Sequence, residues 1–501
     1  MNCDEGQFTR PTTLVFHYNV RALDHSLKPV LTSSWAQICV RQVDSDFRFP
    51  GLTEIQGHGV LKKIVIFYCA TLLMISVSVA GSRPNQVVLG YSAYWFDDQF
   101  PPENYNFGTI THLARAFLEE HADGSIGVPE GYFNEKMEDA ARRHDVRLLM
   151  SIGGEADKAD KWLSIAEHPQ YRDRFMGQLA QLLSAHHYDG FDIDWEPSAL
   201  TNQDGAAYTS LLKSLRTRFP KVIITTALPA DEYWVSHFSW PDVCNNVDYI
   251  NVMVYCYSGA WAGNATYASN LYPPGAYAPE PGYSADEGMH NLIDNHHVPP
   301  EKLLFGLTFW GLRFNVNHMG DAFPKDTPGY CNDISYAQAT ALSHTGLYHD
   351  LWDKRAAMPY LVRNTGGSVV AYENPASITL KCLDAQKLGC AGVMIWHLGS
   401  DVDGLHTPLM DEIARATDAV PEPLPQEMLK NQFADVEEQI KISKIQLAHL
   451  LTGHSSPGAT QAIAANDTFD ISELNWPLLT KRWGIISDLL WQAQSKQKKI
   501  H

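Results

Sequence analysis

The chain reads as an α/β protein, a (β/α)8 barrel with a small α+β insertion between strands seven and eight and a C-terminal helical extension. Three observations predict this. From residue 86 onward, short apolar runs alternate with longer amphipathic stretches, as β/α units do. Eight such runs occur, the number a closed parallel barrel needs. One of them, residues 188–197, alternates carboxylates with large apolar side chains, which suits a strand with one face inside a barrel and the other under helices.

The eight runs are, in order, VVLGYSAYW, THLARAFL, VRLLMSIGG, YDGFDIDWE, VIITTALPA, VDYINVMVY, KLLFGLTFW and GCAGVMIWHL. Between the fourth and fifth, YTSLLKSLRTRF places Leu211, Leu212 and Leu215 at helical spacing. Nearly sixty residues separate Trp310 from Val369. They contain a helix-like piece, ISYAQATALS, and a strand-like piece, LWDKRAAMPYLV, enough for an insertion over about 312–366 within a barrel of 86–418. At residue 421 the run PEPLP ends the barrel. Leu429, Phe433, Val436 and Ile440, then Leu479, Trp483, Ile486 and Leu490, recur at helical steps. Residues 424–501 are therefore expected to be a helical hairpin packed on the barrel, with partner binding or dimerisation as the alternative.

Residues 62–81, KKIVIFYCATLLMISVSVAG, have the layout of a secretory signal: two lysines, an apolar run, and small residues at Ser78 and Ala80. The expectation is a signal peptide over 60–80 cleaved near Ala80, with residues 1–59 a non-native extension and the mature protein exported, not stably inserted in a membrane. The alternative is a membrane anchor formed by residues 62–81.

Among 501 residues, 45% are apolar and 11% aromatic, ample for a packed core. The formal charge of −19 argues against nucleic acid as a partner, because tracking phosphates needs a basic footprint. Of eight cysteines, Cys3, Cys39 and Cys69 precede the expected cleavage point. Cys244, Cys256, Cys331, Cys382 and Cys390 remain, an odd number, so at least one lacks an intrachain partner.

In the carboxylate run, Asp192, Asp194 and Glu196 share one face of a strand, while Phe191, Ile193 and Trp195 share the other. Three carboxylates inside a barrel cannot all be charged cheaply, so at least one should keep a proton near neutrality, as a general acid requires. Glu196 comes last, before Pro197, at the mouth where barrel active sites lie.

The segment resembles the DGxDxDxE signature of glycoside hydrolase family 18, matched by Asp189, Gly190, Asp192, Asp194 and Glu196. Ser151-Ile152-Gly153-Gly154 resembles that family's SxGG strand end. Residues 306–311 (GLTFWG) resemble the end of its seventh strand, and AYENPASI with 392–396 (GVMIW) its last helix and strand. The resemblance, spanning about 86–418, implies retaining, substrate-assisted hydrolysis of β-1,4-linked N-acetylglucosamine polymers, chitin or chito-oligosaccharides, with no metal or organic cofactor. It implies that Glu196 is the acid, that Asp194 holds the acetamide N–H, and that Asp192 exchanges a proton with Asp194. Tyr255 would donate to the acetamide oxygen.

Sugars stack on aromatic rings, so Tyr91 and Trp95 after strand one, Phe117 ending strand two and Trp310 after strand seven are candidate contacts, with Trp261. Trp396, ending strand eight, is by resemblance the floor under the reacting sugar; Gly154 and Met253 join the binding set. One departure stands out. The family's MxYD reads Met253-Val254-Tyr255-Cys256 here, so Cys256 replaces a carboxylate. Alternatives on the same scaffold are an endo-β-N-acetylglucosaminidase, a peptidoglycan hydrolase, or a chitin-binding lectin; relatives of the last kind typically lack the acid glutamate, which is present here.

Overall fold

The computed structural model describes residues 86–155, 160–196, 201–275, 283–401, 407–418, 440, 483–489 and 491–492. The 1–59 extension, the 60–80 signal, the 62–81 anchor and most of the 424–501 hairpin, with Leu429, Phe433, Val436, Leu479 and Leu490, lie outside the described residues. Among the described residues no helix is long and apolar enough to cross a membrane.

The strands in chain order are β1 (Val87–Ala93), β2 (His112–Glu120), the short β3 (Ile126–Gly127), β4 (Arg147–Glu155), β5 (Gly190–Glu196), β6 (Ile223–Pro229), β7 (Tyr249–Met253) and β8 (Leu303–Thr308). They continue with β9 (Trp310–Phe314), β10 (Cys331–Ser335), β11 (Tyr348–Asp353), β12 (Met358–Arg363), β13 (Val369–Ala371) and β14 (Gly392–Trp396). Eight of them form the barrel. The parallel order β1-β14-β8-β7-β6-β5-β4-β2 closes because β2 also pairs with β1.

Alternation along the strands divides the core into two layers. Leu89, Ala114, Leu149, Leu304 and Met394 fill the barrel interior. The opposite faces, including Phe191, Ile193 and Trp195, meet the surrounding helices; Trp195 lies 5.9 Å from Trp162 and nearly parallel to it. Helix Asn202–Arg218 shows how the outer layer is set. Thr201 and Asp204 form a capping box at its start, and Leu211, Leu212 and Leu215 are buried beneath it.

The signature glycine and first aspartate serve this frame. A Cβ on Gly190 would lie 2.1 Å from the Ile223 carbonyl oxygen, so β5 and β6 meet this closely only with glycine there. Asp189 accepts the Leu148 N–H at 2.9 Å and pairs with Arg147 at 3.0 Å, tying β5 to β4 far from the barrel mouth.

The insertion is a five-stranded antiparallel sheet, β10-β9-β13-β12-β11, running from Trp310 to Ala371, wider than 312–366 at both ends. Helix Tyr336–Ser343 occupies the helix-like stretch. The strand-like stretch is two strands, β11 and β12, paired as a hairpin whose turn includes Ala357 at φ +57°. Strand propensity on both sides hid the turn, because no glycine or proline marks it.

Residues 483–489 and 491–492 are helical. The face they bury carries Gly484, Asp488 and Trp491, while Trp483 and Ile486 of the apolar pattern stay half-buried. Asp488 meets Arg313 and Arg363, and Gln492 meets Gly367, all of the insertion, where the sequence pattern pointed to the barrel. Cys244, Cys256, Cys331, Cys382 and Cys390 form no disulfide.

Candidate active site

Strand β5 delivers three carboxylates to the barrel interior in order of height. Asp192 is the lowest and fully buried. Its register partners are Ser151 on β4 and Thr225 on β6. Four donors converge on it: Tyr91 Oη at 2.9 Å and Ser151 Oγ at 2.7 Å on one oxygen, Thr225 Oγ1 at 2.7 Å and Asn251 Nδ2 at 3.0 Å on the other. Burial raises the Asp192 pKa, and these four donors, by favouring the ionised form, offset part of that rise.

Asp194, one pleat higher, lacks such support. One carboxylate oxygen is buried without a hydrogen-bond partner. Burial, then the Glu196 and Asp192 charges, push its pKa well above the usual aspartate range, and Glu196 hydrogen-bonds to it. Asp194 therefore keeps a proton far more readily than a solvated aspartate does, and its titration is shared with its carboxylate neighbours. Glu196 ends the strand, half-buried at the floor of the cleft.

That cleft has a volume of about 1220 Å³. Asp194, Glu196, Tyr91, Trp95, Phe117, Met253, Tyr255, Cys256, Trp310, Trp261 and Trp396 all line it. Asp192 lies beneath it. At the SxGG strand end it is Gly153, not Gly154, that faces the cleft. Gly154 instead makes room for an aromatic: its φ is +90°, and a Cβ there would sit 2.8 Å from the Phe117 ring. Gly153, at φ +110°, allows β4 to pass the Asp194 carbonyl, 2.0 Å from where its Cβ would be.

The aromatic residues gather around Trp396. Its ring stacks on Phe117 at 5.4 Å and 18°, meets Tyr91 edge-on at 5.5 Å, and has Trp95 at 6.4 Å. Tyr91 lies within β1 rather than after it, so one residue both hydrogen-bonds Asp192 and touches the Trp396 ring. Trp310 opens β9, placing the insertion in the cleft wall.

Tyr255 stands two residues beyond β7, nearly buried. Burial foremost, then Cys256 and the Glu196, Asp194 and Asp192 carboxylates, raise its phenol pKa well above 10, so it stays a donor. A Cβ on Gly306 would fall 2.9 Å from its ring, which gives the glycine of GLTFWG a physical task. Cys256 follows, exposed and at φ +63°.

Sequence reasoning missed two groups. Thr225 and Asn251 sit on inward positions of β6 and β7, and only strand register links them to Asp192. Asp231, Asn264, Tyr283 and Lys325 reach the cleft from loops, and Tyr233 and Trp234 from the one-turn helix Glu232–Val235, pieces too short to carry a periodic signal.

Residues 87–401 match the family model described as glycosyl hydrolases family 18. The chain is 26% identical over 287 residues to an endochitinase of Manduca sexta, a match covering 51% of this chain and 50% of that protein. This chain thus spans half the length of that relative. It is 25% identical over 378 residues to class V chitinase CHIT5a of Medicago truncatula, covering 69% of this chain and 95% of that one. Its fold is similar to that of catalytic domain 2 of the Group II chitinase of Ostrinia furnacalis, with a TM-score of 0.61 at 20% identity over 68% of this chain and 99% of that one. The signature carboxylates on β5, the barrel around them and a family match over residues 87–401 agree, and the chain belongs to glycosyl hydrolases family 18.

Proposed function

We propose that the protein is a retaining glycoside hydrolase that cuts β-1,4-linked N-acetylglucosamine polymers, chitin or its oligosaccharides, with the substrate's own acetamide as nucleophile. The observation that carries this reading is the arrangement on β5: Asp194, buried and with its pKa raised, beside Glu196 in the cleft, with Asp192 beneath both.

Glu196 protonates the leaving glycosidic oxygen as the 2-acetamido oxygen closes on the anomeric carbon. The acetamide N–H donates to Asp194, which passes its proton down to Asp192 and turns negative as the oxazolinium turns positive. The Ser151 and Thr225 hydroxyls that donate to ionised Asp192 can turn to accept when it takes the proton. Tyr255 donates to the acetamide oxygen and aligns it. Glu196, now ionised, takes a proton from water, which opens the ring with net retention. Trp396, with Phe117 and Tyr91 packed against it, gives the reacting sugar an apolar face. A cleft of about 1220 Å³ has room for several sugar rings.

The test is hydrolysis of N-acetylglucosamine oligomers by the protein and by Glu196→Gln. Cleavage by the parent with retained configuration, reduced by at least ~10²-fold in the variant, is the expected result. Cleavage of N-glycan cores or peptidoglycan in preference to chitin oligomers would move the substrate. One observation favours a second reading. Cys256, exposed in the cleft in place of the family's carboxylate, suits a chitin-binding lectin, and tight binding of oligomers without shortening would establish that.

We propose further that the protein is exported, on the charge and apolar pattern of residues 62–81. N-terminal sequencing that found the mature chain starting well before Gly81 would overturn cleavage near Ala80.

A further inference from the structure

Arg313 is the least expected residue of the insertion. It lies on β9, three residues after Trp310, on the face of the sheet opposite Leu312 and Phe314. Its side chain is 5% exposed, and a guanidinium cannot shed its charge on burial. Ser368 and the Tyr348 hydroxyl accept from it at 3.0 and 2.8 Å. Neither is an anion.

The counter-charge comes from 175 residues further along the chain. Asp488, on the helical turn 483–489, is fully buried and accepts from Arg313 Nη2 at 2.7 Å. The same carboxylate takes the Tyr348 hydroxyl at 2.5 Å and Arg363 Nε at 2.7 Å. One side chain thus joins β9, β11 and β12. Trp491 covers the Arg313 guanidinium at 4.6 Å, and Gly484 sits so close to the Ala341 carbonyl that a Cβ would lie 2.3 Å from it. An appended helix with no task in the domain would not need a buried anion shared by two arginines.

We propose that Asp488 is a positioning residue for the cleft, and that residues 483–489 and 491–492 act as a strap holding the insertion sheet, and with it the Trp310 wall, in its binding position. The connection is short. Strand β9 starts at Trp310, which lines the cleft, and Arg313 anchors the same strand to the strap. Without Asp488, Arg313 and Arg363 would face each other's charge with no anion between them, and β9 would shift or loosen. The carboxylates on β5 belong to the barrel and would stay in place. The strap therefore sets recognition of long glycans and leaves the chemistry alone. As a statement about glycan recognition this rests on the function proposed above; as a statement about the sheet it does not.

The experiment compares the full chain with Asp488→Asn and Asp488→Glu. Hydrolysis is measured on an N-acetylglucosamine hexamer and on a chromogenic dimer glycoside, and backbone hydrogen exchange is followed by mass spectrometry. For Asp488→Asn the expected result is a KM for the hexamer raised ~10-fold, with kcat and the dimer kinetics within ~2-fold of the parent. Exchange should quicken in β9, β11 and β12 and stay unchanged in β4 to β6. Asp488→Glu, which keeps the charge, should recover most of both effects. Unchanged exchange in the insertion overturns the strap, and so does a uniform fall in kcat on both substrates. If the parent cleaves no N-acetylglucosamine oligomer, the functional reading fails, while the exchange comparison still decides the strap. Should Asp488→Asn not fold, Arg313→Met with Asp488→Leu, which removes both buried charges, should restore a folded chain. Failure of that pair as well overturns the pairing as the reason.

Discussion

Asp192 and Asp194 are two residues apart on one strand, yet four donors surround the first while one oxygen of the second is buried without a partner. The contrast decides where a proton rests. It also separates what replacing each aspartate should do. Asparagine at position 192 would point an amide N–H at donors already in place, so Asp192→Asn is expected to cost about 1–3 kcal/mol of stability. It should also lower kcat by ~10²-fold, because the proton that Asp194 gives up has no acceptor. Thermal unfolding and oligomer hydrolysis check both effects together.

Asp194→Asn should do the opposite to stability. The folded pKa of Asp194 is raised from its ordinary value of 3.8, so its neutral form favours folding, and that contribution is lost as pH rises through the raised value. Asparagine cannot ionise. The variant is therefore expected to be more stable than the parent on the alkaline side, and inactive there. Denaturant unfolding across pH would show the two curves converging in acid; parallel curves would contradict the assignment.

Two histidines, His112 half-buried and His397 buried, act at the other end of the pH scale. Burial lowers the pKa of His112, and of His397 beside Trp396, from 6.5 to about 4. Each is neutral when folded and protonated when unfolded between those values, so stability is lost as pH falls from 6.5 through about 4. His397→Gln is expected to flatten this acid limb. Unfolding midpoints at pH 7 and pH 4.5 should lie closer together in the variant than in the parent.

Cys256 adopts φ +63°, a left-handed conformation that aspartate accepts more readily than most side chains. Cys256→Asp should therefore cost no stability. It adds a negative charge beside Tyr255 and near Glu196, which holds protons on its neighbours more tightly. The alkaline limb of the pH–rate profile is expected to move upward in pH. An unmoved limb would show that position 256 lies outside the proton network.

Gly154→Ala tests the seat of the aromatic floor. A Cβ at φ +90° and 2.8 Å from the Phe117 ring is expected to cost about 1–3 kcal/mol. It should also tilt Phe117 off Trp396 and raise KM more than it lowers kcat. Oligomer kinetics read the split directly.

How much of this was legible beforehand follows the range of the interactions. Alternation at period two put Asp192, Asp194 and Glu196 on one face and Phe191, Ile193 and Trp195 on the other, because a pleated strand has no other option. The glycines of the motifs were visible as letters, but their tasks appeared only with neighbours: Gly190 against Ile223, Gly306 against Tyr255, Gly154 against Phe117. Strand register, a matter of packing around the closed barrel, brought Ser151 and Thr225 to Asp192, and Asn251 reached the same carboxylate from β7. Residues outside the strands, such as Tyr233 on a one-turn helix and Lys325 on a loop, entered the cleft through the path of the chain over the barrel mouth, which no local pattern records.

The C-terminal turns make the division sharpest. Their sequence, by its apolar repeat at Trp483 and Ile486, determined that they are helical and amphipathic. Which face docks, and on what, was settled by Asp488 and two arginines, buried Arg313 and half-buried Arg363, of a sheet 175 and 125 residues away in the chain. Periodicity is a property of neighbouring residues and is written in order along the chain. The energy of a buried charge depends on which groups the whole fold brings within hydrogen-bond distance, and no local pattern records that.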